Sequence, residues 1–247
     1  MAIDFSQSAL LIIDVQNDFC PAYTAKDGTK HPAGALAVSR GDRVIEPLNR
    51  LAAQFAEKKG EIIATQDWHP LRHISFAASH PGKQINEGIT LPVSQDALSR
   101  YQRQFPGQEY PVPGEITQLL WPFHCVRVSA GARFHVGLKQ ELFTQVLRKG
   151  FREDLDSYSA FFENDRCTPT ELQGYLSARS IKTILVGGLA TDYCVFYSVM
   201  DGLRLGYRLM VVEDAVAGVD FPPGSVERSV KDMKEGGAVF IASRDIA

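Results

Sequence analysis

Six short apolar runs punctuate the chain: ALLIIDV (9–15), EIIATQ (61–66), FTQVLRKG (143–150), KTILVGG (182–188), YRLMVVED (207–214) and AVFIA (238–242). Runs this short and this rich in Ile, Val and Leu suit strands buried on both faces, the situation of a parallel sheet covered by helices. Between the first two, the stretch 40–59 puts Val44, Leu48, Leu51, Ala52 and Phe55 on one helical face, completing a βαβ unit. Thr168 and Glu171 have capping-box spacing and Pro169 stands at the first helical position, which predicts that a helix opens there. Further helices are predicted over about 191–205 and 225–235. The alternation predicts an α/β fold: a Rossmann-like, doubly wound, mainly parallel six-stranded sheet with helices on both faces.

The 247 residues suffice for one large α/β domain, read here as a single domain over 1–247. The stretch 77–122, rich in Pro, Gly and Gln, is too long for an ordinary connection. Its larger part, about 77–117, reads as an insertion acting as a lid, a wall or a contact surface. With 45% hydrophobic residues, 22% charged residues and a net charge of −3, the chain has no bulk electrostatic attraction to nucleic acid or anionic membrane, so a small-molecule partner is expected. Homo-oligomerisation stays open. The N-terminus lacks a basic region and its apolar stretch ends at Asp14, which reads as a strand rather than a signal peptide. Cys20, Cys125, Cys167 and Cys194 follow no CxxC or framework spacing, which points to free thiols in a reducing compartment, by default the cytoplasm.

In an open parallel sheet the ligand crevice lies outside the carboxyl ends of the strands, so polar residues there are the first candidates for chemistry. Asp14 ends the first run, Asp67 follows the second, Lys149 ends the third, and Cys194 stands just beyond the glycines that close the fourth. Taken singly, each has an ordinary reading: a carboxylate capping nearby backbone, a solvated lysine, a small buried filler. Together they suit nucleophilic catalysis, in which a thiol attacks, a carboxylate takes its proton and an ammonium stabilises both anions. At the first turn of a helix, Cys194 is expected to have a thiol pKa below the usual ~8.5, and the N–H groups there suit an oxyanion.

TQDWHPLRHISF (65–76) and WPFHC (121–125) hold a second group. Asp67 and His69, two apart in an extended segment, point the same way, and with His124 they offer three ligands to one divalent ion. Each histidine alone is as readily a structural residue. His73 is a candidate fourth ligand or an orienter of the others. Cys125 is left out, because the neighbour of His124 in an extended segment points away. Nitrogen and oxygen donors favour Zn, with Fe and Mn as alternatives. Phe19, Trp121 and Tyr158 are candidate walls for a flat ring, although aromatics are by default core residues.

These residues fall within IIDVQNDFC (12–20), TQDWHP (65–70), LWPFHCV (120–126), RKG (148–150), DSYSAFF (156–162) and GLATDYCV (188–195). In this order the six motifs resemble the nicotinamidase/pyrazinamidase branch of the isochorismatase-like cysteine hydrolases, over most of the chain except about 77–117. The resemblance implies the isochorismatase-like hydrolase fold and conversion of nicotinamide to nicotinic acid and ammonia through a thioester, a step of NAD salvage, with pyrazinamide as a further candidate substrate. It implies Cys194 as nucleophile, Asp14 as general base and acid, Lys149 as the cation tuning both, and the Ala190 and Cys194 N–H groups as the oxyanion hole. It also implies a metal on Asp67, His69 and His124 that holds the pyridine nitrogen and waters, a ring site among Phe19, Trp121 and Tyr158, and a cis Leu189–Ala190 peptide.

Three rival readings remain at this level. One is a related amidase acting on a ureido, maleamate-like or carbamoyl substrate; another is a metal-water hydrolase in which Cys194 is filler. The third is a binding or redox-sensing domain on the same scaffold.

Overall fold

The computed structural model describes residues 3–107 and 114–246. Its strands are β1 (Ser8–Ile13), β2 (Tyr23–Thr24), β3 (Lys30–His31), β4 (Glu61–Asp67), β5 (Gly88–Pro92), β6 (Glu115–Leu119), β7 (Gln145–Lys149), β8 (Thr183–Leu189), β9 (Arg208–Ala217) and β10 (Val239–Ile241). Its α-helices are α1 (Ile45–Glu57), α2 (Gln95–Gln104), α3 (Leu172–Ala178), α4 (Phe196–Arg204) and α5 (Ser225–Glu235).

Six strands form one sheet in the order β10-β9-β8-β1-β4-β7, with every pairing parallel. β1 lies inside it and all six of its residues are buried, as its unbroken apolar run requires. Alternate side chains serve opposite faces: Leu10 and Ile12 join Leu48, Leu51 and Phe55 of α1, whereas Leu11 and Ile13 join Leu176 of α3, Val199 of α4 and Met233 of α5. Helices therefore cover both faces, one face by α1 and the other by α3, α4 and α5. Gly188 has a φ of 125°, and a Cβ there would stand 2.1 Å from the Ile13 carbonyl oxygen, so only glycine lets β8 run this close to the end of β1.

One predicted helix start is corrected. The helix opens later, with Glu171 as its N-cap residue making no side-chain capping bond. Thr168 belongs to the preceding turn: its hydroxyl and N–H both donate to the Asp165 carboxylate, at 2.6 and 2.7 Å. The nearer Thr170 hydroxyl accepts instead from the Leu172 N–H. A local carboxylate has outcompeted the capping box.

The described part of the stretch 77–117 folds as an antiparallel hairpin, β5 with β6, carrying α2 between its strands. Val93, Ala97, Tyr101, Phe105 and Ile116 from this stretch join the same buried cluster as Ile63, Leu147 and Phe162. From β6 the chain runs directly into Trp121, whose N–H donates to the Ser75 carbonyl at 2.7 Å, and on to His124. Among the described residues no helix is long and apolar enough to cross a membrane.

Candidate active site

β7, β4, β1 and β8 are successive neighbours in the sheet, so residues at their carboxyl ends meet although they lie far apart in sequence. Asp14 follows β1 in a left-handed conformation, φ 49°, which turns the chain away from the strand direction. Thr65 of β4 anchors it: the threonine hydroxyl donates to Asp14 Oδ1 at 2.7 Å and accepts from the Asp14 N–H at 3.2 Å.

Lys149 is fully buried, which removes its reading as a solvated surface residue. An ammonium has three N–H groups, and Lys149 donates to Asp67 Oδ1 at 2.5 Å, the Ser157 carbonyl at 2.8 Å and Cys194 Sγ at 3.5 Å. Asp14 Oδ2 lies 2.9 Å from the same nitrogen, a buried ion pair. A carboxylate oxygen has more than one lone pair, so the contact with Lys149 leaves Asp14 able to accept a proton. The Cys194 sulfur lies within 4.8 Å of carboxylate oxygens of both Asp14 and Asp67.

Burial raises the Asp14 carboxyl to about 6 against the pull of Lys149, and Asp67 adds to the rise. Asp67, also buried, is nonetheless held below the usual carboxylate range, because Lys149 and His69 outweigh its burial. For Cys194 the balance differs from the sequence expectation. The residue does sit in the first turn of its helix, a π-helical turn over Thr191–Val195 leading into α4. Burial nevertheless drives its thiol well above the ordinary range, and Lys149 offsets this only in part. The resting sulfur is thus a neutral thiol beside a carboxyl poised near neutrality, an arrangement that passes a proton from sulfur to oxygen as the sulfur attacks.

Asp67, His69 and His124 each bring one ligand atom within 4.8 Å of the others, and all three are buried. Asp67 Oδ2 is 3.6 Å from His69 Nε2, a gap that two bonds of about 2.0–2.2 Å to a shared ion can bridge. His69 and His124 turn Nδ1 to the carbonyls of Gly150 (2.7 Å) and Pro122 (2.9 Å), which leaves Nε2 of each for an ion. Burial and the neighbouring His69 push His124 down to about 4, so its imidazole is neutral, the form a metal binds. The donor set fits a divalent metal. Gly150 makes the His69 contact feasible: its φ is 60°, and a Cβ would stand 2.5 Å from His69 Cε1. His73 stacks on His69 with ring centroids 4.1 Å apart. Its Nε2, 3.7 Å from Asp156 Oδ1, groups with His69 and Asp156 rather than with Asp67 and His124.

Phe19, Trp121 and Tyr158 line one small cavity together with Asp67, His69, His124, Ala190 and Cys194. The Leu189–Ala190 peptide is cis. Leu36, Asp156, Tyr193 and Val219 also line the cavity and were not singled out in the sequence. Asp156 and Tyr193 do lie inside quoted motifs, whereas Leu36 and Val219 carry no sequence signal. Other supports were also missed. Gln16 clamps the end of β4, its amide accepting from the Asp67 N–H at 2.8 Å and donating to the Asp67 carbonyl at 2.9 Å. Asp192 accepts from the N–H groups of Val219 and Asp220 at 3.0 and 2.9 Å, tying that loop to the start of the Cys194 turn.

The sheet order, the thiol, carboxylate and amine at its carboxyl edge, and the metal donor set define a hydrolase class. Residues 8–245 match the isochorismatase domain, and the chain belongs to the isochorismatase family. Within it, the chain is 38% identical over 238 residues to the nicotinamidase of Escherichia coli, covering 96% of this chain and 95% of that protein. The structure of a nicotinamidase/pyrazinamidase from Acinetobacter baumanii superposes with a TM-score of 0.80 at 39% identity, covering 97% of this chain and 98% of that one. A zinc complex of the pyrazinamidase from Pyrococcus horikoshii matches with a TM-score of 0.67 at 29% identity, covering 96% and 99% of the two chains.

Proposed function

We propose that this chain is a metal-dependent cysteine amidohydrolase converting nicotinamide to nicotinic acid and ammonia. One observation carries the reading: Cys194 and the Asp67, His69, His124 donors line a single small aromatic-walled cavity, and Asp14 and Lys149 stand directly behind the Cys194 sulfur. Such a cavity suits a flat ring with a carboxamide on one side and a ring nitrogen on another. Near full-length similarity to nicotinamidases supports the substrate. Pyrazinamide, which also joins a carboxamide to a nitrogen ring, is read as a second substrate.

Asp14 takes the Cys194 proton as sulfur attacks the carboxamide carbon, and Lys149 stabilises the resulting anions. The Ala190 and Cys194 N–H groups receive the tetrahedral oxyanion. Its collapse breaks the C–N bond, and Asp14 returns the proton to the departing ammonia, leaving a thioester. Asp14 then deprotonates a water that attacks the thioester, and the proton goes back to sulfur as the acid leaves. Asp67, His69 and His124 would hold the metal, read as zinc, which supplies a Lewis-acid contact for the ring nitrogen and for ordered water. Phe19, Trp121 and Tyr158 are assigned to the ring. We read residues 1–247 as one domain, which the shared core of the inserted stretch supports, and the free thiols fit a cytoplasmic enzyme.

Ammonia release from nicotinamide, followed before and after chelation and metal add-back, tests the reading. Activity is expected to fall on chelation and return with Zn. Cys194→Ala is expected to abolish release while metal content stays the same; persisting turnover in that variant would falsify the covalent route.

A further inference from the structure

Gln118, on β6 of the inserted hairpin, is fully buried beside the cavity. Its side-chain NH₂ lies 2.8 Å from the Leu119 carbonyl, 3.1 Å from Asp156 Oδ2 and 3.2 Å from the Tyr158 hydroxyl, so that its two N–H groups serve three acceptors and one of them is shared. Its Oε1 accepts from the Asn164 amide at 3.1 Å, and Asn164 Oδ1 in turn accepts from the Tyr158 N–H at 2.9 Å. The loop Gln118, Tyr158, Asn164 is therefore closed, and it fixes the orientation of the Gln118 amide, since a flipped amide would set donor against donor. Trp121 Nε1 also donates to the Tyr158 hydroxyl, at 3.0 Å. Both lone pairs of that oxygen are thus occupied from the β6 side, which pins the ring. Asp156 Oδ1, held by the Ser157 N–H at 2.8 Å, faces His73 Nε2.

We propose that Gln118 is a positioning residue through which the β5–β6 hairpin sets the shape of the ring site, by holding the Tyr158 hydroxyl and the Asp156 carboxylate in place. The inference rests on the ring-site reading of the cavity given above. Gln118 contacts neither Cys194 nor Asp14. Ser157, whose carbonyl receives Lys149, donates its N–H to Asp156 Oδ1, but its hydroxyl also donates to the Ser159 carbonyl at 3.0 Å, an anchor that does not pass through Gln118. Loss of Gln118 should therefore weaken ground-state and transition-state binding alike and leave the chemical step nearly intact.

The test is Gln118→Leu, assayed for KM and kcat on nicotinamide alone and combined with Tyr158→Phe. Taking one donor away from a buried carboxylate and from the Tyr158 hydroxyl, which keeps only Trp121, is expected to raise KM about tenfold while kcat changes by less than about threefold. In the Tyr158→Phe background the same substitution should raise KM by clearly less than about tenfold, because one of the two contacts through which Gln118 acts is already gone and only the Asp156 contact remains to be lost. If Gln118→Leu fails to fold, Gln118→Met keeps the side-chain length, removes both donors and carries the same expectation. Normal wild-type turnover with an unmoved KM in the variant, or full additivity with Tyr158→Phe, overturns the role of Gln118. A wild-type enzyme that releases no ammonia from nicotinamide removes the function itself, and this inference with it.

Discussion

Asp14→Asn separates what the site needs from what the fold prefers. The substitution keeps the shape, and Asn tolerates the left-handed φ of 49°. With its amide oxygen towards Lys149 and its nitrogen donating to the Thr65 hydroxyl, it keeps a partner on each side and removes the ionisable group. Burial raises the Asp14 carboxyl from its ordinary 3.8 to about 6. The sign follows from the folded value lying above the unfolded one: the wild type has its full stability below about 3.8, loses part of it as pH rises towards 6, and is level beyond. The interval corresponds to roughly 3 kcal/mol. The asparagine variant mimics the protonated carboxyl and escapes that loss. Urea unfolding should show little difference near pH 4 and a gain approaching about 3 kcal/mol at pH 7, where the same variant should lose about 10²–10⁴ of its ammonia release. A variant that matches the wild type's pH dependence of stability, or turns over within about tenfold of it, refutes the assignment of Asp14 as a buried, charge-strained base.

Two further substitutions test neighbouring parts of the structure. Gly150→Ala places a methyl 2.5 Å from His69 Cε1 at a φ of 60°; metal titration should show affinity reduced about 10–100-fold, and unchanged affinity would show that His69 is not held as a ligand. Glu163, buried and repelled by Asp156, has its carboxyl raised from 4.5 to about 8 and leaves Oε2 without a hydrogen-bond partner. Its folded value again exceeds the unfolded one, so stability is complete below about 4.5 and declines as pH rises through 8. Glu163→Gln should flatten that decline and stabilise the protein by up to a few kcal/mol at pH 8. An unaltered slope in urea melts across that range would rule this out.

The sheet was legible because β1, β4 and β8 are nearly continuous apolar runs, and the placement rule for parallel sheets then pointed to Asp14, Asp67, Lys149 and Cys194. What escaped was set by tertiary contacts. The elevated Cys194 thiol reflects burial around a helix start, and no local pattern reports how deeply a side chain will lie. Thr168 has the right spacing for a cap, but the choice between the Glu171 N–H and the Asp165 carboxylate as its partner is made by the folded turn. β5 and β6 alternate between exposed and partly or fully buried residues over only five positions each, and they pair across α2, so neither identifies its partner in the sequence. Gln16 and Thr65 stand inside or beside recognisable motifs, yet their hydrogen bonds to Asp67 and Asp14 reach across neighbouring strands.

β7 is the outermost strand of its side of the sheet, and β4 is its ladder partner. The amine joining the thiol to both carboxylates therefore hangs from a margin, where fraying requires far less free energy than melting the whole sheet. Gentle heating or mild denaturant should silence the enzyme while most of the sheet still resists deuterium uptake, with the β7 amides that face β4 exchanging in step with the loss of turnover.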